Sequence, residues 1–505
     1  MVPGLLEPES VTVAESPPSK KLKTAAAQSI QIDDEDVATA LPSHHLGVKP
    51  AGNAYTASEN IKSRCGSFAR LPDELLSHIL ESFDADALVR LGSTCRALYA
   101  YTRLDELWRA LFVSNPPSDF TWRGTWRATY LNIPSTNITS IPCHNLFSDI
   151  LYRPFQCAHT SLTPFVTNIP SSNTIARLSD LTPEDYASNW TDKPFILTEP
   201  VKKWPVYNTW TPSYLLSNFP SIKFRAEAVD WPMSTYISYM NAQSDESPLY
   251  VFDRAFAEKT SIDSSLSDPA TAAYSSPAAF GSDLFALLGE HRPDSRWMIL
   301  GPARSGSTFH KDPNATSAWN AVLTGSKYWL MFPSGPNIPP PPGVIVSDDQ
   351  SEITSPLSIA EYLLTFHALA RATPGCKEGI CHAGEILHVP SGWFHLVLNI
   401  EESLALTQNF VPRKKLPDVL GFLRDQRNEV SGFREEVCDR AYELFVERLQ
   451  EECPDVLEEA LGELEKKGKS KRGKWEELTK GDGEEEESGG FSFGFGGDDD
   501  DADIP

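Results

Sequence analysis

The sequence predicts an α+β protein: one large β-domain with helical segments before and after it. Three observations carry that expectation. Short apolar runs of strand length, such as Lys-Tyr-Trp-Leu-Met-Phe at 327–332 and Ile-Leu-His-Val at 386–389, occupy the middle of the chain. Before them, Leu75, Leu76, Ile79, Leu80 and Phe83 recur at helical spacing. After Val411 the pattern turns helical again, with Phe433, Val437, Ala441, Leu444, Phe445 and Leu449 marking one apolar face. At 505 residues and 40% hydrophobic content the chain is large enough for one substantial core, a small domain and tails.

Taken in order, residues 1–60 are rich in Ser, Ala, Pro and scattered charge without sustained periodicity, so a disordered tail is expected. Within it Pro-Pro-Ser-Lys-Lys-Leu-Lys, ending at Lys23, resembles a short nuclear import signal; a nuclear protein is expected, with cytoplasmic residence left open. Residues 66–115 read as a helical module. Pro72 and the acids after it suit a helix start, where Pro loses no hydrogen bond and carboxylates meet the positive end of the dipole. Leu-Pro-Asp-Glu-Leu-Leu at 71–76, Cys-Arg-Ala-Leu at 95–98 and Leu-Trp-Arg at 107–109 occur in order, and together they resemble an F-box. The resemblance implies docking to the Skp-type adaptor of a cullin ubiquitin ligase. A helical cap on the catalytic core is the alternative. Residues 116–180 read as a connector.

The chemistry lies in 181–411. His310 and Asp312 stand two apart, and residues i and i+2 of a strand share a face, so an imidazole and a carboxylate can grip one cation there. His395, in Ser-Gly-Trp-Phe-His, arrives from another strand. Two His and one carboxylate with open positions is the donor set of non-haem Fe(II) oxygenases. Lys327 sits on an otherwise apolar strand, and a charge entering a core needs a partner. His388, with strand-like neighbours of its own, competes for the third ligand position.

The run from Arg296 to Pro333, which holds Gly-Pro-Ala-Arg-Ser-Gly-Ser-Thr-Phe-His-Lys-Asp-Pro-Asn and Leu-Thr-Gly-Ser-Lys-Tyr-Trp-Leu-Met-Phe-Pro, resembles the Jumonji C (JmjC) oxygenases. Within them it is most similar to the subgroup of the nuclear lysyl hydroxylase and arginine demethylase first described as a phosphatidylserine receptor. The resemblance runs from about Leu181 to about Val411. It implies a double-stranded β-helix, or cupin-like jelly roll, that uses Fe(II), 2-oxoglutarate and O2. Residue by residue it implies His310, Asp312 and His395 as metal ligands, the Pro-Ser-Gly-Trp-Phe-His turn deciding for His395 over His388. Lys327 matches the lysine that pairs with the distal carboxylate of 2-oxoglutarate, a task suited to a compact point charge. Ser307, where the subgroup has Thr, supplies a hydroxyl; Asn320, Tyr250, Asn399 and Thr407 match other polar positions of the co-substrate pocket. Asn399, four residues beyond His395, faces the same way on an unbroken strand.

Residues 412–465 are expected as C-terminal helices packed on the jelly roll or mediating self-association, and 466–505 as a basic, then acidic, disordered tail. Ten acids after position 481 account for much of the net charge of −25, and the remaining −15 still argues against direct nucleic-acid binding. No apolar run approaches a membrane span, and no secretory leader is recognised, so a soluble intracellular protein is expected. The eight cysteines lack framework spacing and are expected as free thiols. Cys376, Cys381 and His382 make an incomplete zinc pattern without a fourth ligand. Pro339 to Ser355 reads as an insertion, of a kind that borders the substrate mouth in the family.

The resulting expectation is an Fe(II)- and 2-oxoglutarate-dependent dioxygenase acting on a protein or peptide substrate, histones included. Lysyl hydroxylation and demethylation of histone Lys or Arg share the same step. The alternative is a non-catalytic F-box receptor whose jelly roll only binds. Oligomeric state is left open.

Overall fold

The computed structural model describes residues 41–137, 140–262, 272–335, 337–347 and 352–480, with the side chains of 135 and 468–480 left aside. The strand-like runs form β1 (Ala176–Leu178), β2 (Phe195–Leu197), β3 (Lys223–Ala226), β4 (Val229–Pro232) and β5 (Val251–Asp253). They continue as β6 (Arg296–Gly301), β7 (Gly306–His310), β8 (Ser317–Thr324), β9 (Ser326–Phe332), β10 (Ile345–Val346) and β11 (Ile353–Thr354). The last are β12 (Lys377–His382), β13 (Ile386–Val389), β14 (Phe394–Asn399) and β15 (Ser403–Phe410). The helices that bear on the site are α1 (Asp73–Glu81), α2 (Ala85–Gly92), α3 (Arg96–Tyr101), α4 (Asp105–Ser114), α5 (Trp126–Tyr130) and α6 (Asp149–His159). They are followed by α7 (Ile359–Ala372), α8 (Leu416–Asp425), α9 (Ala441–Glu452) and α10 (Pro454–Lys480).

The strands make two sheets. The larger runs β1-β2-β13-β8-β15-β6-β5-β3-β4, the smaller β12-β9-β14-β7, and β10 with β11 form a separate hairpin. Alternation then assigns the faces. Trp319, Ala321, Leu404 and Leu406 of the larger sheet enter a core shared with the N-terminal helices. Their strand neighbours Ala318 and Val322 instead meet Trp329, Met331 and Val397 of the smaller sheet, in the layer between the two. On the outer side of the smaller sheet, Tyr328, Leu330 and Leu396 pack under α7. Strands buried on both faces read as nearly continuous apolar runs, as β9 does. The fold is the expected α+β, cupin-like jelly roll.

The helical module does not stand apart from it. Phe112 of α4 meets Trp231 of β4 edge-on at 5.7 Å, and Trp126 of α5 lies 5.8 Å from the same ring. Arg109 pairs with Glu227 at 2.9 Å, and the Trp126 indole donates to Asp245 at 2.9 Å. Each fully buried aromatic or Leu contributes about 1.5–3 kcal/mol, so α1–α5 and the larger sheet stabilise one another. Pro72 is the N-cap of α1, with Asp73 and Glu74 in its first turn.

Several boundaries differ from expectation. Residues 43–50, inside the segment expected to be disordered, are packed: Leu46 and Val48 are 4% and 2% exposed, and Lys49 bridges Phe147. A loop paired with another loop has no period for a sequence reading to detect. Residues 1–40, with the import-like segment, lie outside the described residues. The connector contains α5, α6 and β1, so the sheet begins at Ala176 and not after 180. The basic run 466–474 falls within α10, as Lys- and Glu-rich sequence permits; the acidic stretch beyond it lies outside the described residues. Ala441, Phe445 and Leu449 of α9 pack inside the chain on Phe285, 4.8 Å from Phe445. Among the described residues no helix is long and apolar enough to cross a membrane, and all eight cysteines are free.

Candidate active site

The space between the sheets is where the polar candidates gather. Lys327 shares a face with Trp329 and Met331 on β9, and His395 and Asn399 share one with Val397 on β14, so all point into the inner layer. β7 reaches the same layer by a bulge. His395 pairs with His310 and Val397 with Ser307, so three residues of β7 match two of β14. That extra residue turns Ser307 and His310, three apart, to one side. Gly306 makes the approach possible, since a Cβ there would collide with the Val397 carbonyl oxygen.

Asp312 is not on the strand. β7 ends at His310, and Asp312 follows in extended, unpaired backbone (φ −65°, ψ 145°) ahead of the 313–315 turn. The backbone stays extended, so Asp312 still lies near enough to His310 to act on its charge. Its Oδ1 accepts a hydrogen bond from the Asn409 amide at 3.4 Å, and its Oδ2 is buried without a partner. The His310 and His395 ring centroids are 4.1 Å apart. His310 Nδ1 donates to the Thr308 carbonyl at 2.7 Å and His395 Nδ1 to the Trp393 carbonyl at 3.0 Å. A carbonyl can only accept, so each Nδ1 carries the proton and each Nε2 the lone pair. Burial pulls both imidazoles down to about 4, which keeps them neutral, and pushes Asp312 up to about 6. Among the described residues no three His, Cys, Asp or Glu side chains close on one point, so these are a donor set on one face and not a formed cage. The donors still fit a divalent iron: two neutral imidazole nitrogens and one orphaned carboxylate oxygen.

At the other end of β9 stands Lys327, 2% exposed and pulled down to about 7 by burial. It donates to Asn399 Oδ1 at 2.8 Å, and Asn399 in turn donates to Ser305 at 2.9 Å. A neutral amide does not compensate an ammonium. Lys327 pairs with Asn399 and His395 with Met331, four residues along β9, a separation on the order of 13 Å. Between them Asn320 Oδ1 and the Trp329 indole nitrogen are buried without partners. Tyr250 and Ser307 share a hydrogen bond at 3.0 Å on the near wall. Thr407 faces the pocket but donates its proton to the Trp319 carbonyl at 2.7 Å, leaving only acceptor capacity. The Trp329 indole N–H and the Lys327 ammonium are the donors that suit a short dicarboxylate, whereas Asn320 Oδ1 and Thr407, as oriented, only accept.

The rival assignments separate cleanly. His388 lies on the other face of β13, fully buried, bonded to the Tyr186 hydroxyl and the Lys193 carbonyl at 3.1 Å each and stacked on Phe195. It is a satisfied core residue. Cys376 and Cys381 enter different apolar layers, so the zinc pattern does not assemble. The insertion folds as the β10–β11 hairpin beside β7, except for its residues 348–351, which lie outside the described residues. A cleft of about 500 Å³ lies elsewhere, between α4, the 244–247 loop and the start of α7; Thr308 lines it, but His310, Asp312, Lys327 and His395 do not. Asn409 and Ser305 went unnoticed in the sequence. Asn409 stands two residues after Thr407, so alternation alone would have found it.

The chain matches the Cupin-like domain family over residues 184–415 and the F-box-like family over 68–114. It is 35% identical over 443 residues to the arginine-specific demethylase JMJ22 of Arabidopsis thaliana, covering 85% of this chain and 84% of that one. It is 31% identical over 364 residues to the lysine-specific demethylase JMJ21 of the same plant, 69% of this chain and 37% of that one. The bifunctional arginine demethylase and lysyl-hydroxylase psr-1 of Caenorhabditis elegans is 32% identical over 281 residues, 52% and 64%. Shorter matches reach proteins named 2-oxoglutarate and iron-dependent oxygenases. The chain belongs to the JmjC family of Fe(II)- and 2-oxoglutarate-dependent oxygenases, in a form that carries an F-box-like module.

Proposed function

We propose that His310, Asp312 and His395 hold Fe(II), that Lys327 receives the distal carboxylate of 2-oxoglutarate, and that the enzyme hydroxylates side chains of a protein substrate. The supporting observation is the pairing of three unengaged donor atoms at one end of β9 with an uncompensated ammonium at the other. When bound, the metal and co-substrate supply the oxidation. The chain fixes the imidazole tautomers through two backbone carbonyls, steadies Asp312 through Asn409, and screens Lys327 from water. Hydroxylation of a side-chain carbon leaves a stable alcohol, whereas hydroxylation of an N-methyl group releases formaldehyde. Histone tails are the first substrates to test. Mass spectrometry of tail peptides incubated with protein, Fe(II) and 2-oxoglutarate decides: gain of one oxygen means hydroxylation, loss of one methyl demethylation, and an unchanged peptide pool with no succinate favours the binding-only receptor.

The F-box-like module supports a second contact. Its inner face is sealed into the oxygenase core, but Leu75, Val89 and Val113 are 46%, 37% and 38% exposed. We assign α1 to a Skp-type adaptor, with Leu71, Pro72 and Leu75 at its centre. A purified adaptor captured by wild type but not by a triple Ala variant supports this; equal capture, or none, leaves the module a structural cap. The Lys20, Lys21 and Lys23 segment supports a nuclear address, which their replacement by Ala should abolish in cells.

A further inference from the structure

Phe252 and Trp297 are aromatic side chains that the fold leaves open at the pocket. Alternation fixes their direction. Val251 on β5, and Met298 and Leu300 on β6, enter the core behind the larger sheet. Phe252 and Trp297 therefore face the other way, the side that carries Asn320, Thr407 and Asn409. Trp297 lies directly across from Thr407 on β15. Asn409, which reaches Asp312, is its diagonal neighbour, roughly 7–8 Å off. The two rings stack with centroids 5.2 Å apart and planes within 13°, and Tyr250 closes the row edge-on to Phe252 at 6.2 Å. Phe252 is 37% exposed and Trp297 is half-buried. A stacked aromatic pair, partly open to water, thus stands beside the donor set.

We propose that Phe252 and Trp297 form the platform on which the target guanidinium lies, making them specificity-determining residues for arginine over lysine. The proposal rests on the oxygenase reading above. An aromatic face, Trp above all, attracts a cation within about 6 Å of its centroid. A guanidinium is planar and weakly hydrated and lies flat on parallel rings, whereas an ammonium is compact and holds its water. The nearest cation on the same face is Arg225, across from Phe252 in the antiparallel register of β3 and β5, and it is paired with Asp230 at 2.9 Å. Arg296 points to the opposite face, paired with Glu258 at 2.9 Å, and Arg254 pairs with Asp294. The net charge of −25 favours the approach of a basic peptide.

The test uses full-length protein and histone-tail peptides that differ at one position: arginine, dimethylated arginine, lysine or the neutral isostere citrulline. Binding is followed by calorimetry with Mn(II) and 2-oxoglutarate present, and turnover by succinate release. Trp297→Leu and Phe252→Leu should each weaken the arginine peptides roughly 3- to 30-fold. Lysine and citrulline peptides should bind less well to wild type and change little in the variants, and Trp297→Tyr should restore most of the lost affinity. Affinity for Mn(II) and 2-oxoglutarate should be unaltered. The platform is overturned if the Leu variants bind arginine peptides like wild type, if they lose arginine and citrulline peptides equally, or if wild type does not distinguish the two. Absence of succinate from wild type would instead remove the oxygenase reading, while the binding comparison still decides the platform.

Discussion

On the outer face of β9, Tyr328 donates to Glu378 at 2.8 Å, and on the inner face of the same strand the neighbouring Lys327 donates to Asn399 at the same distance. The two surroundings differ in completeness. Glu378 is fully buried, and Arg371 grips it through three contacts of 2.7–3.1 Å while Asn173 adds a fourth at 3.1 Å. Burial pushes its pKa up, but the bonds from Arg371, Asn173 and Tyr328 outweigh burial and hold the carboxyl below its usual range. Inside, the ammonium meets one neutral amide, and Asp312 Oδ2, Asn320 Oδ1 and the Trp329 indole have no partner at all. A satisfied buried network is architecture. An unsatisfied one, gathered on the inner face, is the feature on which the proposed iron and co-substrate site rests.

The contrast can be broken first at its outer side. Glu378→Ala leaves the half-buried Arg371 without its carboxylate and strips Tyr328 and Asn173 of their acceptor, and should destabilise the fold by about 3 kcal/mol in urea unfolding, whereas Lys327→Met should leave stability unchanged or raised. A Lys327→Met protein as unstable as Glu378→Ala would erase the distinction between the two faces. The inner side is sharpened by binding. Lys327→Met should raise the dissociation constant for 2-oxoglutarate roughly 10- to 150-fold, the equivalent of about 1.5–3 kcal/mol for a lost charge-assisted bond, with Mn(II) affinity intact. Unchanged co-substrate affinity would exclude the role.

A smaller, graded effect is expected from pH. Burial lowers Lys327 from 10.5 to about 7 in the folded chain. Between those values the unfolded chain holds a proton that the folded one lacks, so this group makes stability rise with pH across that window and contributes no further change below about 7. The co-substrate dianion prefers the ammonium. Its affinity should be full below about pH 7 and fall by up to tenfold per unit above it, with proton uptake on binding. Calorimetry in buffers of different protonation enthalpy reads that uptake, and Lys327→Met should flatten the profile.

His310 was legible through its spacing to Asp312 and Lys327 as a charge within an apolar run, whereas His395 and Asn399 were placed by the resemblance to the JmjC oxygenases. Asp312 was found for a reason only partly right, since the strand stops two residues earlier. Ser307 reaches the pocket through a bulge whose only local sign is Gly306. The union of the F-box-like helices with the sheet could not be read, because its motifs are local while Phe112 and Trp231 are more than a hundred residues apart. His388 shows the limit of residue type as a guide: it too has strand-like neighbours, and the turn before His395, which the resemblance singled out, agrees with the face of β13 on which His388 stands.

In the proposed site the inner polar set holds iron through Asp312. The most direct measurement is Mn(II) and Fe(II) titration of Asp312→Ala beside wild type, with 2-oxoglutarate-dependent succinate release followed on the same samples. The expected result is a folded variant with a wild-type melting temperature, little metal affinity and no succinate, because two imidazoles alone hold Fe(II) poorly. Wild-type metal affinity and succinate release from Asp312→Ala would contradict the account and place the iron elsewhere.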